Sequence, residues 1–221
     1  MHIQKIFFLV LLIIPSLVLS QTNQLDAQGK KHGDWKVYFE GTKNPRFEGR
    51  FEHGKEIGEF KFYKKGFYDH PAAIMNFEKN KDSVNVTYYT QKGEPISNGK
   101  MVDRKREGKW VYFHQASDSI MMTEQYQEDK LNGLQQTYYK NGKLAEKTTY
   151  KGGEKNGTSL IFAENGQITR ELNFKAGKLH GKATYFTPEG EKTMEGFYTE
   201  GNKSGIWKYY TEGKLVEEKE Y

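Results

Sequence analysis

The sequence predicts an all-β chain, an elongated repeat array of about eight antiparallel β-hairpins forming one long twisted sheet. Three observations lead there. A glycine recurs at a near-constant interval, an aromatic position keeps step with it, and hairpin-turn dipeptides fall between the aromatic runs. The glycines stand at Gly33, Gly58, Gly108, Gly133, Gly157, Gly181 and Gly205, separated by 25, 50, 25, 24, 24 and 24 residues. The gap of 50 is two periods, and its midpoint, Ser83, reads as a repeat that has lost its glycine and kept its phase.

Five residues after each anchor stand Tyr38, Tyr63, Tyr88, Phe113, Tyr138, Phe162, Phe186 and Tyr210, an unbroken aromatic column in a chain that is 14% aromatic. Composition alone does not produce such a column. Two residues after the anchor stand Trp35, Phe60, Trp110 and Trp207, which include all three tryptophans. Seven residues before an anchor stand Phe51, Tyr126, Tyr150, Phe174 and Tyr198, and Tyr221 holds the same phase.

Two short aromatic runs within 24–25 residues fit one hairpin per repeat. In the last unit, residues 206–210 form one strand, Glu212-Gly213 the turn, and residues 214–221 the return strand. Asn141-Gly142 and Asn165-Gly166 occupy the same turn elsewhere, and such dipeptides supply positive φ at a tight hairpin. A helical repeat is disfavoured, because each interior glycine would cost it about 1 kcal/mol and no apolar stripe of helical period exists.

Alternation along a strand puts positions two and four after the anchor on one face, as in Trp110 with Tyr112 and Trp207 with Tyr209. Position five falls on the other face unless a bulge intervenes. Equivalent residues of successive hairpins are expected two strands apart, roughly 9.6 Å, each ring packing on the side chains of the strand between. Sixteen such strands would make a sheet about 75 Å long. Stability in such an array is close to nearest-neighbour, with the end repeats most prone to fray.

Three segments organise the chain. Residues 1–20 have the layout of an export signal: Lys5, an apolar run over residues 6–14, Pro15, then Val18, Leu19 and Ser20 as a small-residue cleavage site before Gln21. The apolar run is short for a membrane span. Residues 21–28 form a short linker, and residues 29–221 the repeat domain, irregular over 67–103. That irregular stretch contains Pro71 and Pro95, lacks the anchor glycine at Ser83 and carries the apolar run Ala72, Ala73, Ile74 and Met75. It reads as a decayed repeat, or as a bend or docking point. The expected location is exported: periplasmic, cell-surface or secreted. The chain has no cysteine, so neither disulfides nor a lipid on an N-terminal cysteine are expected.

Charge and chemistry narrow the function classes. Without residues 1–20 the chain has 33 basic and 29 acidic residues, net +4, and the two signs alternate along it. That is a solvated face rather than a nucleic-acid footprint. The stretch Gly177 to Lys182 approaches a phosphate-binding loop but is one residue short, and Ala183 stands where Ser or Thr is required. His32 and His180 each precede an anchor glycine and read as polar turn residues. His53, His70 and His114 share no spacing with each other or with a carboxylate that suggests a metal site or a triad. Glu217 and Glu218 are adjacent on a strand and point to opposite faces, wrong for a paired acid and base. No enzyme, no cofactor and no metal are expected.

The units at residues 106–113, 129–139, 177–186 and 201–210 resemble the MORN repeat, and more closely the bacterial MORN-repeat variant. The resemblance extends over about residues 29–221. It implies a β-hairpin array used for contacts with proteins or membrane surfaces, and some bacterial members carry the label antitoxin. The expected function is an exported, non-enzymatic binding or scaffold protein, a monomer that meets a protein partner through its aromatic face. Trp35, Trp110, Tyr112, Trp207 and Tyr209 are the candidate contact residues, since Trp and Tyr are rigid amphipathic anchors. The alternatives are adsorption to an anionic membrane or envelope polysaccharide, and antitoxin-like pairing with a toxin. Binding of nucleic acid is not expected.

Overall fold

The computed structural model describes residues 22–67 and 69–221, so the segment expected to be an export signal, residues 1–20, lies outside the described residues. Among the described residues there are nineteen strands in one open sheet, and every pairing between them is antiparallel. After a short strand at Gln24–Leu25 the chain forms the eight expected hairpins. The first pairs Lys31–Tyr38 with Pro45–Glu52, and the second Lys55–Phe62 with Ala73–Phe77. The third pairs Ser83–Tyr89 with Pro95–Val102, and the fourth Lys105–Phe113 with Ile120–Gln127. Gly133–Tyr138 with Leu144–Lys151 and Glu154–Phe162 with Ile168–Lys175 follow. Gly181–Phe186 with Lys192–Thr199 and Asn202–Thr211 with Lys214–Glu220 complete the array.

The turns carry the geometry that the glycines predict. Between hairpins, two-residue turns such as Ala176-Gly177 and Glu200-Gly201 have positive φ at both positions, which matches the right-handed strand twist. Within the hairpins of the Asn-Gly sites only the glycine is left-handed: Gly142 has φ 80° and Gly166 φ 93°. Gly142 N–H donates to the Tyr139 carbonyl, and the ladder then slips by one residue between Thr137 and Tyr138. The asparagine serves differently, its Oδ1 accepting the Lys143 N–H at 3.0 Å. The loop is therefore a turn followed by a glycine bulge.

The anchor glycines sit at a second bulge. Opposite Gly99, for example, the ladder passes from Asn98↔Val111 to Lys100↔Glu107, so that Gly108 and its neighbours arch out with Gly108 at φ 69°. The third hairpin has no such bulge: residues 73–77 pair with residues 84–88 without a slip. Val86 there takes the buried place that Phe60 and Trp110 hold in the neighbouring hairpins, and Tyr88 shares its face. The phase of this repeat therefore runs through Val84 and not through Ser83, because loss of the glycine removed the bulge. Tyr89 replaces Tyr88 as the aromatic next to the slip. The expected apolar docking patch is largely structural, since Ala73 is buried and Ile74 and Met75 are half-buried in a regular strand.

The two faces of the sheet differ in chemistry. One carries positions two and four after the anchor and the rings seven before it, and this is where the core lies. Phe60 lies between Phe51 and Phe77, with edge-on rings at 5.1 and 5.2 Å. Trp207 likewise meets Tyr198 at 5.0 Å and Tyr221 at 6.3 Å. The opposite face is built of ion pairs: Lys36 with Glu48 at 2.9 Å, Lys208 with Glu218 at 3.3 Å, and Glu195 with Lys182 at 3.3 Å and Lys192 at 3.1 Å. Position five falls on this face, where Tyr63 donates to Glu48 at 2.8 Å and Tyr210 to Glu195 at 2.7 Å.

Candidate interaction surface

The large rings are seated by glycines on the strand before them. Nine residues before an anchor stand Gly49, Gly99 and Gly196, opposite Phe60, Trp110 and Trp207. A β-carbon at any of the three would come below 3.0 Å of the ring. Where the ring is replaced, the partner changes too: Thr148 faces Ser159 with hydroxyls 2.7 Å apart, and Glu124 faces Gln135 with a hydrogen bond of 2.7 Å. The gap left by Gly99 or Gly196 lets rings two strands apart meet. Tyr88 stacks on Trp110 at 6.3 Å, and Tyr185 lies 6.4 Å from Trp207. These contacts join position four of one hairpin to position two of the next, across a glycine that presents no side chain.

Trp110 and Trp207 are 2% and 0% exposed, so these two are not exposed rings. The bulge and the facing glycine bury them, and each indole N–H donates at 3.1 Å to a backbone carbonyl, that of Lys100 or of Phe197. Trp35 repeats the arrangement, donating to the Gln24 carbonyl at 3.1 Å, but is only half-buried, as are Tyr112 and Tyr209. Of the five sequence candidates, therefore, Trp35, Tyr112 and Tyr209 reach the surface of the aromatic face.

Two residues before an anchor lies a cation that the periodicity search missed. Lys31 is 4.8 Å from the ring centres of Trp35 and Phe51, and Arg106 3.9 Å from that of Tyr126. Lys155 is 5.2 Å from that of Phe174, and Lys203 4.1 Å from that of Trp207. Their positive charge is directed at ring faces of the same molecule. The signal was present in the sequence, but the same position holds Leu131 and Leu179 in two repeats. Leu131 there packs against the buried cluster that contains Tyr126.

The fourth hairpin carries a buried polar network on this face. Glu124 is 5% exposed and accepts from the Tyr126 hydroxyl at 2.6 Å and the Gln135 amide at 2.7 Å. Burial, then the Glu124 carboxylate, pushes the Tyr126 phenol well above its ordinary range. Burial also raises Tyr112, whose hydroxyl lies 3.4 Å from that of Tyr126. These phenols stay protonated, and the network acts as a fixed set of donors and acceptors rather than as an acid or base.

Beside it, Phe62, Met75, Phe77 and Met101 line a groove of about 560 Å³ whose rim carries Lys81 and Arg104 together with Asp82 and Asp103. Phe62, Met75, Met101 and Tyr112 pack against the buried cluster of Ala73, Val86, Trp110 and Tyr126. The groove lies in the irregular stretch and the hairpins flanking it, where the short strand Ala73–Phe77 and the missing bulge alter the spacing.

The fold also gathers residues that linear spacing keeps apart. Asp26, His32 and His53 each place a ligand-type atom within 4.8 Å of the others. Sequence spacing gave His53 no carboxylate partner, but the return of the first hairpin brings it 2.7 Å from Asp26.

Residues 131–151 and 155–176, the fifth and sixth hairpins, match the MORN repeat variant. No curated protein matches the chain significantly. Among solved structures, a Staphylococcus aureus TarM mutant in complex with Fondaparinux, alpha-GlcNAc-glycerol and UDP is similar at 12% identity over 72% of this chain and 21% of that one, with a TM-score of 0.19. A second TarM structure is similar at 12% identity over 71% and 20%, with a TM-score of 0.15. The chain spans about a fifth of the length of these structures.

Proposed function

We propose that this chain is an exported, non-enzymatic scaffold whose aromatic face holds another protein at the groove formed by the second and third hairpins and the turn after them. Repeats of the MORN kind commonly bind proteins or membranes. The observation that carries the choice of a protein is the pairing of surface charge. Lys31, Arg106, Lys155 and Lys203 lie on rings, and on the other face Lys36, Lys182, Lys192 and Lys208 lie in ion pairs with Glu48, Glu195 and Glu218. An anionic membrane or polysaccharide is read by clustered free cations, roughly four to eight of them. The groove offers instead apolar side chains, two of them methionines that adapt to a partner's shape, inside a rim of both signs.

The test is site-specific photo-crosslinking in the source cell. A benzophenone amino acid at Tyr112 is expected to capture one discrete protein outside the cytoplasm, and the same probe at Lys61, on the ion-paired face, to capture none. Equal capture at both positions, or a cytoplasmic chain retaining residues 1–20, would contradict the reading.

A further inference from the structure

We infer that the corner formed by Asp26, His32 and His53 is a binding site for a divalent transition-metal ion of the zinc class. Their ligand-type atoms lie within 4.8 Å of one another, and two imidazoles with one carboxylate are a donor set suited to such an ion. Donor atoms around one zinc at about 2.0–2.2 Å stand roughly 3.3 Å apart, so small side-chain rotations close the set. The closest pair, His53 Nδ1 and Asp26 Oδ2 at 2.7 Å, needs the least movement.

The carboxylate is already aimed. Asp26 Oδ1 accepts the backbone N–H of Gln28 at 2.9 Å and of Lys30 at 2.8 Å, which fixes the plane and turns Oδ2 toward His53. Such outer support of a ligand oxygen is characteristic of metal sites. The Asp26 side chain is 8% exposed and that of His53 63%, so the carboxylate is shielded while one side of the site stays open to an entering ion. Three protein ligands leave room for water to complete the coordination.

The seventh hairpin supplies an internal comparison. His180 holds the place of His32 before its anchor, and Glu200 the place of His53 in the following turn. There Lys178 donates to the Glu200 carboxylate at 3.1 Å, and His180 Nδ1 stays 3.8 Å from it. A lysine ammonium takes the place that a metal would need. The first hairpin differs by bringing in Asp26 from the strand-to-strand turn that precedes it, a residue that the other repeats do not supply.

Isothermal titration of the untagged chain with zinc chloride tests the inference. The expected result is saturable binding of one Zn²⁺ per chain, weakened roughly tenfold or more by each of Asp26→Asn, His32→Ala and His53→Ala and unchanged by His180→Ala. The metal-free melting temperature of each variant shows whether it has kept its fold. As a measurement independent of variants, Co²⁺ titrated into the wild-type chain is expected to broaden the ring resonances of His32 and His53 before those of His70, His114 and His180. No saturable zinc binding, binding insensitive to all three substitutions, or first broadening at another histidine would overturn it. The outcome is independent of partner capture at the groove, which involves none of these three residues.

Discussion

Trp110 and Gly99 show how a single-layer sheet buries its largest side chain. The indole lies in the space left by a missing β-carbon, its N–H held by the Lys100 carbonyl. Gly99 has no left-handed φ, so its role is one of volume alone. Gly99→Ala is expected to destabilise by about 1–3 kcal/mol, and Trp110→Ala by about 3–5 kcal/mol. In combination the cost of Gly99→Ala should nearly vanish, because the clash has no second partner; urea unfolding of the double-mutant cycle checks it. At Glu195 the Tyr210 hydroxyl, then Lys192 and Lys182, hold the carboxyl down at about 2 against an ordinary 4.5. A depressed carboxylate stabilises above its unfolded value and loses that contribution as pH falls toward the folded one. The drop in melting temperature from about pH 5 to about pH 2 is therefore expected to be smaller in Glu195→Gln than in wild type.

A hairpin is the element in which the sequence was most legible. The glycine period, the aromatic at position five and the turn dipeptides placed all eight, because each reports a local requirement: a left-handed residue, a ring beside the slip, a two-residue reversal. What escaped was non-local. The dependence of Phe60, Trp110 and Trp207 on glycines eleven residues earlier emerges only once the pairing register is known. So does the difference between a fully seated tryptophan and a half-buried one, which places Trp110 and Trp207 in the core. In the third hairpin a period counted by residue number put the phase one residue early, since a bulge adds residues that a sequence count cannot see. Asp26, His32 and His53 were hidden for the same reason: the hairpin return, and not their spacing, brings them together.

At the scale of the whole molecule, each hairpin leans only on its neighbours, so stability should fall toward the ends. Every residue of Lys214–Glu220 is exposed, whereas Lys105–Phe113 carries a buried tryptophan in the middle of the array. Amide hydrogen exchange is expected to be fastest in the former and slowest in the latter; uniform exchange across the hairpins would indicate a single cooperative unit instead.

Hydroxyl-radical footprinting of the chain with its crosslinked partner, against the free chain, tests most directly which face is used. Protection is expected at Met75, Met101 and Tyr112, with Tyr38, Phe197 and Ile206 of the ion-paired face unchanged. Protection confined to Tyr38, Phe197 and Ile206 would contradict the assignment of the aromatic face as the binding surface.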